Sequence, residues 1–287
     1  MQYFVSVENS NFFYWQLELL LESFLMHDIQ ESLVIAVAEN ESPKIKEYTK
    51  NLVKYGVKIV LPNIGKEKKY PQANRIYSLH KLYEENVIKL PFTIIHSDMV
   101  LKNPLEKYND EEFDIIINNY DIKNKLVEDL LEEEEFKEKI FSNTSLPENF
   151  NPIEFISSMP IIFNEKLNKD IFDKFLDKLI INLEYLLKIK GTEFPCEAAA
   201  WKLTFLEAIG HYNATGKLLT SDLLSSNDDT PFIHYNIGIP PVFNKRFFKF
   251  DNSSYYYDGP FENLMQHDLS DNTKYVQKLI KSYKNKN

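Results

Sequence analysis

The sequence predicts an α/β protein built on a mostly parallel sheet in which strands alternate with helices. Three observations support this fold class. Short β-branched apolar runs recur in the first 95 residues, the segments between them carry apolar residues at helical spacing, and proline and glycine mark segment boundaries. A strand that returns through a helix to the same sheet forms a right-handed parallel unit. The N-terminal third is therefore expected to form such units in series.

The first half of the chain supplies this alternation. The predicted strands cover residues 3–7, 33–38, 57–61 and 92–95, and the predicted helices cover residues 12–27, 43–55 and 71–86. Pro43 opens the second helix and Gly56 ends it, as their backbone preferences favour. No glycine-rich loop follows the first strand, and the seven glycines form no GxGxxG or Walker sequence. This pattern argues against a dinucleotide-binding or P-loop protein.

The second half of the chain is less regular, and we expect it to elaborate the same single domain. Predicted strands cover residues 113–118 and 159–163, and predicted helices cover residues 171–189, 195–209 and 275–283. The acidic stretch 128–138 is interpreted as a solvated face or an insertion. We expect the single domain of residues 1–287 to divide into a first half, 1–105, a second half, 106–250, and a C-terminal tail, 251–287.

Composition narrows the partners that the chain is expected to bind. A formal net charge of -10 disfavours nonspecific nucleic-acid binding, so no nucleic-acid partner is expected. The single cysteine, Cys196, excludes an intramolecular disulfide and a Cys-rich zinc site. The N-terminus lacks the basic and apolar regions of a signal peptide, and no apolar stretch is long enough for a membrane helix. We therefore expect a soluble, cytoplasmic protein.

The segment that carries chemistry lies directly after the fourth predicted strand. There the apolar run 92–95 ends in His96, Ser97 and Asp98. Ligands of open α/β sheets gather at the carboxyl ends of the strands. A carboxylate at such an end can hold a divalent cation that bridges two phosphates and offsets charge on a departing nucleoside diphosphate.

This segment resembles the DxD region of GT-A glycosyltransferases, in which a strand ends in Asp-x-Asp. The resemblance implies a GT-A fold, a Rossmann-like, mostly parallel central sheet flanked by helices, with an elaborated C-terminal half. Asp98 matches the metal-binding position of the motif. His96 replaces the first aspartate, and an imidazole there can bind a ribose hydroxyl or the metal. His96 and Ser97 are thus expected to contact the nucleotide.

A second match lies near residue 234, in the segment Pro-Phe-Ile-His-Tyr-Asn of residues 231–236. His234 resembles the late histidine of metal-dependent GT-A enzymes, which completes the metal site or touches the diphosphate. The order of motifs is also similar to that of peptidyl serine and hydroxyproline glycosyltransferases. Imidazole and carboxylate ligands suit Mn²⁺ and tolerate Mg²⁺. The alternative is a buried histidine that only satisfies a local hydrogen bond.

Five further residues are assigned by their positions relative to the GT-A pattern. Arg75, with Asn74 beside it, precedes the motif strand and is expected to bind the nucleotide or its phosphates through its planar fork. Ser6 and Glu8, at the end of the first strand, are expected to contact the base. Glu197, near a helix start, is the candidate catalytic residue, which would hold sugar hydroxyls or act as a base. Alternatively, Glu197 has only a structural role, in which its negative charge interacts favourably with the dipole at the helix N-terminus.

The resemblance implies metal-dependent transfer of a monosaccharide from a nucleotide-diphosphate sugar, with a UDP-sugar favoured over a GDP-sugar. The acceptor would be a hydroxyl of a glycan, a protein or a small molecule. Three alternatives stay open. The first is a non-catalytic domain that binds a nucleotide sugar or glycan, which the departure at His96 motivates. The others are a sugar nucleotidyltransferase, whose usual glycine-rich basic loop is missing here, and a structural domain without a ligand.

Overall fold

A computed structural model describes residues 1–8, 11–38, 50, 52–60, 73–105, 113–119, 157–190, 196–208, 214–226, 229–235, 264–267 and 270–285. The strands in these ranges are β1 (Gln2–Glu8), β2 (Leu33–Ala38), β3 (Lys58–Val60), β4 (Phe92–Ile94), β5 (Met99–Leu101), β6 (Ile115–Asn119), β7 (Ser157–Phe163), β8 (Ala214–Lys217), β9 (Thr220–Ser221) and β10 (Phe232–His234). The helices are α1 (Asn11–Leu25), α2 (Ala73–Glu84), α3 (Lys169–Lys190), α4 (Cys196–Ala208) and α5 (Asp271–Lys284), with a 3₁₀ turn at Gln30–Ser32.

The main sheet has seven strands in the order β3-β2-β1-β4-β7-β6-β8. The pairs β1–β2, β2–β3, β1–β4 and β6–β8 are parallel, whereas β7 runs antiparallel to both β4 and β6. The predicted α/β class with a mostly parallel sheet is therefore confirmed. The reversal at β7 brings the start of β4 beside the end of β7, where Phe92 pairs with Phe163.

The central strands are apolar on both faces because helices cover both faces. In β1, residues 3–7 are all buried, and α2 packs against β1 and β2. On α2 the buried residues include Ile76, Leu79 and Leu82, whose spacing of three makes one apolar stripe. α3 packs against α2 and α4. The central strands are therefore buried on both faces, as in other parallel sheets that helices cover.

A second sheet of three strands, in the order β5-β10-β9, lies beside the main one and shares α1 with it. β10 is antiparallel to β5 and parallel to β9. Its apolar side chains form a second core with α1 and α5, including Trp15, Val100, Ile233 and Leu279. The sequence analysis did not predict β5, β8, β9 or β10, which are two to four residues long. The equally short β3 and β4 were predicted because they lie in the longer β-rich runs 57–61 and 92–95.

Most predicted helices recur with shifted ends. The helix predicted at 171–189 spans 169–190, that at 195–209 spans 196–208, and the final one begins four residues earlier, at Asp271. Gly56 ends a helical turn with φ of 78°, a left-handed conformation that suits glycine. Most of the predicted helix 43–55 and the whole acidic stretch 128–138 lie outside the described residues. Among the described helices, none has the length and apolar character needed to cross a membrane.

Candidate metal and nucleotide site

Strand pairing brings together two segments that are far apart in the sequence. After β4 the chain passes through His96, Ser97 and Asp98 and enters β5 at Met99. His234 is the last residue of β10, and its pairing partner in β5 is Met99. The imidazole of His234 therefore lies next to the segment that carries Asp98.

Three side chains form a cluster at this point. One ligand atom from each of His96, Asp98 and His234 lies within 4.8 Å of the others. Asp98 Oδ1 is 3.2 Å from His234 Nε2 and 3.6 Å from His96 Nδ1. Donor atoms that share one cation at about 2.1 Å are separated by about 3.0–3.4 Å when adjacent. The two separations at Asp98 are thus close to those of a common metal site.

The chemistry of these donors also fits a cation. Asp98 is 4% exposed, so its carboxylate is buried next to two imidazoles rather than isolated in an apolar core. His234 Nε2 is buried, and its 3.2 Å contact with Asp98 Oδ1 lacks the geometry of a hydrogen bond. A buried polar atom without a partner costs free energy unless a ligand satisfies it. Two imidazoles and a carboxylate are a ligand set that Mn²⁺ and other transition metals accept.

The turn that carries Asp98 is held by residues of β10 and α1. The backbone N–H of Tyr235 donates to the carbonyl oxygen of Asp98 at 3.1 Å, and its hydroxyl donates to the carbonyl of Ser97 at 3.3 Å. The Ser97 hydroxyl donates to Oε1 of Gln16 at 2.8 Å. Burial and the nearby Asp98 carboxylate raise the pKa of Tyr235 well above its ordinary value, so its hydroxyl stays a donor.

Arg75 and Glu197 meet beside the metal cluster. Arg75 Nη1 donates to Glu197 Oε1 at 2.8 Å and lies 3.5 Å from His96 Nε2. The indole N–H of Trp201 donates to the same Glu197 oxygen at 3.2 Å. Arg75 Nε is buried and has no hydrogen-bond partner in the described part of the chain. The guanidinium therefore connects the metal cluster to α4, with part of its donor capacity unused.

The contact between Arg75 and His96 constrains the imidazole. A guanidinium has only donors, so His96 Nε2 must be the acceptor in this arrangement. The proton of the neutral ring is then assigned to Nδ1, which faces Asp98. A metal bound through Nδ1 requires the other tautomer, and Arg75 would then have to make its contacts elsewhere.

The end of β1 lies beside the start of α2. Asn74 donates from Nδ2 to Glu8 Oε1 at 2.7 Å, and Asn74 Oδ1 is buried without a hydrogen-bond partner among the described residues. Burial raises the pKa of Glu8, and the Asn74 hydrogen bond partly opposes this change. Ser6 is buried on the same strand, two residues before Glu8 and therefore on the same face.

The structure brings most of the predicted site residues into contact, although it does not test their roles. His96, Asp98 and His234 form one cluster, Arg75 and Glu197 adjoin it, and Asn74 pairs with Glu8. Ser97 uses its hydroxyl for Gln16, which the sequence analysis did not select. Gln16 is buried on α1, and the sequence offers no distinct signal for it because Glu18, Glu22 and Ser23 also interrupt the apolar residues of this helix. Trp201, 2% exposed, packs with Phe175 and Phe205.

The chain matches no protein-family model, and no curated protein is similar to it in sequence. Solved structures that are similar in fold include the following two. WbbM, a bifunctional glycosyltransferase in its apo form, matches with a TM-score of 0.53 and 14% identity over 97% of this chain and 51% of its own. This chain thus spans about half of the WbbM chain. LgtC, a galactosyltransferase in complex with donor and acceptor sugar analogues, matches with a TM-score of 0.51 and 11% identity over 98% of this chain and 96% of its own. At these identities the likeness shows the fold, which is that of GT-A glycosyltransferases.

Proposed function

We propose that this chain, which has the GT-A fold, is a metal-dependent glycosyltransferase that moves a monosaccharide from a UDP-sugar to a hydroxyl acceptor. The proposal rests on one observation, the cluster of His96, Asp98 and His234, in which ligand atoms from all three residues lie within 4.8 Å of one another. The cluster follows β4, at the sheet edge where open α/β proteins bind ligands.

The donor diphosphate needs positive charge near this cluster, because the chain as a whole is acidic. A divalent cation held by His96, Asp98 and His234 would offset the negative charge that develops on the departing nucleoside diphosphate. Arg75 adjoins the cluster, and its unpartnered Nε is a further donor for a phosphate oxygen. Phosphate binding by Arg75 is thus the second element of the proposal.

The nucleoside would lie toward the end of β1. Glu8 and Asn74 form a polar pair there, and the buried Oδ1 of Asn74 is an acceptor that can receive an N–H of a base. Ser6 lies on the same face of the strand as Glu8. These contacts favour a nucleotide over the bare diphosphate, and UDP is the nucleotide that we propose, following the GT-A resemblance.

For Glu197 the geometry supports a positioning role. Its Oε1 accepts hydrogen bonds from both Arg75 and Trp201, so the carboxylate fixes the direction of the guanidinium. At 7% exposed it has little access to an acceptor in this state. We therefore propose that Glu197 acts first by holding Arg75, and that contact with sugar hydroxyls is its second role.

The decisive experiment measures UDP binding by isothermal titration calorimetry with Mn²⁺ and with EDTA. The wild-type chain should bind UDP more tightly with Mn²⁺, and Asp98→Asn should lose this gain, with affinity in Mn²⁺ falling by about 100-fold or more. Asp28→Asn is the matched control, because Asp28 is exposed with φ of 56°, a conformation that asparagine tolerates.

Equal affinity of wild-type and Asp98→Asn for UDP in Mn²⁺ would contradict the metal assignment. Turnover is checked separately by release of UDP from UDP-sugars with and without candidate acceptors. Tight, Mn²⁺-dependent UDP binding without any donor hydrolysis would favour the non-catalytic alternative that the His96 departure motivates.

A further inference from the structure

A second concave surface lies at the opposite end of the sheet from the metal cluster. We name it the basic groove. It runs past the starts of β1, β3 and β4 to the segment between β7 and α3, and it comprises two adjoining depressions of about 360 and 520 Å³ that share three residues, Asn86, Lys89 and Leu90. Because β7 is antiparallel to β4, the chain after β7 reaches this edge rather than the metal site.

The charge of this groove is opposite to that of the molecule. Its lining contains four lysines, Lys58, Lys89, Lys166 and Lys169, and one carboxylate, Glu165. The whole chain has 33 basic and 43 acidic residues. Lys169 also pairs with Asp173 at 3.2 Å, across one turn of α3. The four lysines are exposed, so their ammonium groups can turn toward a bound anion in the groove.

Both walls of the groove are fixed by hydrogen bonds. On one wall the backbone N–H of Lys89 donates to Gln2 Oε1 at 2.8 Å, and the N–H of Val87 donates to the Leu82 carbonyl at 2.9 Å. On the other wall the Asn164 side chain donates to the Phe113 carbonyl at 2.7 Å. The groove therefore exists before any ligand binds, which lowers the entropic cost of binding.

Apolar groups lie between the charges. In the larger depression Ile88, Leu90 and Leu167 and the ring of Tyr83 line the wall between the lysines. The larger depression, of about 520 Å³, is open to solvent, and its volume lies within the range of small-molecule sites. The positive end of the dipole of α3, a helix of 22 residues that begins at Lys169, adds to the same potential.

We propose that the basic groove binds a small organic polyphosphate with a compact carbon body, such as a sugar or polyol that bears two or more phosphates. The phosphates contact Lys58, Lys89, Lys166 and Lys169, and the carbon body lies against the apolar wall. This binding needs no metal and does not depend on the glycosyltransferase proposal, because the groove and the metal cluster occupy opposite edges of the sheet.

The test uses inositol hexakisphosphate as the probe, titrated calorimetrically into the full chain in EDTA and low salt. The double variant Lys89→Glu/Lys166→Glu should bind at least about tenfold more weakly, and wild-type affinity should fall with added salt. Lys278→Glu, at an exposed position on α5, is the matched control and should bind like wild type. Arg75→Ala should also bind like wild type.

Three results would overturn the proposal. The first is equal affinity of the double variant and the control. The second is a loss of binding in Arg75→Ala, which would place the probe at the metal cluster instead. The third is the absence of probe binding together with lysine-dependent cosedimentation on phosphatidylglycerol vesicles, which would make the groove a membrane contact. Failure of UDP binding at Asp98 would leave this test unaffected, so the two proposals fail separately.

Discussion

At the scale of single residues, the candidate site depends on one carboxylate whose neighbours come from two parts of the chain that are distant in sequence. Asp98 lies 3.2 Å from His234, an imidazole 136 positions later in the sequence, and 3.6 Å from His96 in its own segment. Tyr235 fixes the backbone on the other side of the same turn. A divalent cation would satisfy the buried Nε2 of His234, which is why this cluster is the centre of the functional proposal.

Glu197→Gln separates a positioning role from a catalytic one. Glutamine keeps an oxygen for Trp201 and Arg75 but removes the charge that holds the guanidinium, so we expect UDP affinity in Mn²⁺ to fall by about tenfold. The free energy of unfolding should fall by about 1–2 kcal/mol in urea titrations. Glu184→Gln, exposed on α3, is the control. Unchanged UDP affinity with a large loss of turnover would instead assign Glu197 as a catalytic base.

At the scale of elements, two helices hold the small sheet. Its strand β10 carries His234, and its strand β5 directly follows Asp98. From α1, the Ser23 hydroxyl accepts from the Leu101 N–H at 2.9 Å. From α5, the Tyr275 hydroxyl donates to the Leu101 carbonyl at 2.6 Å, and Asn272 accepts from Lys102 at 2.8 Å. Because β5 directly follows Asp98, movement of α5 would move one wall of the site.

Ser270→Ala tests the contribution of α5. Ser270 is the N-cap of this helix, and its hydroxyl accepts from the N–H of Thr273 at 2.9 Å and donates to the carbonyl of Leu223. Loss of both hydrogen bonds should lower the free energy of unfolding by about 1–2 kcal/mol, measured by urea denaturation.

The matched control for this cap is Ser282→Ala, inside the same helix, where alanine is the better helix former and stability should change by less than about 0.5 kcal/mol. Equal losses for the two variants would show that the cap contributes nothing specific.

At the scale of the whole molecule, two cores support one site. The larger core surrounds the central sheet, and the smaller one lies between α1, β5, β10 and α5.

Glu18 lies on α1 beside this smaller core, with a hydrogen bond to Tyr283 of α5 and with Glu22 one turn away. Burial, more than the neighbouring Glu22 charge, raises the pKa of Glu18 to about 7. The packing of α5 against α1 is therefore coupled to the protonation of Glu18.

This coupling predicts a pH dependence of stability. The folded chain holds a proton on Glu18 up to about pH 7, whereas the unfolded chain releases it near the ordinary glutamate pKa of 4.5. The stabilisation is thus complete below about pH 4.5 and is lost as the pH rises to about 7, at a cost of up to about 3 kcal/mol. Glu18→Gln should remove this loss in urea titrations at pH 5 and 8 in EDTA. Parallel pH curves for Glu18→Gln and wild type would contradict the assignment.

The sequence by itself determined the α/β class, the alternation of its first half and the segment that carries Asp98. These features are local, because each depends on hydrophobic period, on boundary residues or on the position of polar residues after a strand. The GT-A resemblance of His96–Asp98 followed from the same local pattern, and comparison with solved structures then confirmed the fold.

Only the tertiary structure decided which distant residues meet. The pairing of β10 with β5 places His234 beside Asp98, and the packing of α2 near α4 joins Arg75 to Glu197. The GT-A resemblance led us to expect His234 at the metal site of Asp98, whereas the contact between Arg75 and Glu197 was not predicted. In both contacts the partners lie more than 100 positions apart in the sequence, so local patterns carry no geometry for them. The basic groove is likewise a product of topology, since it exists only where the antiparallel β7 ends beside the start of β4.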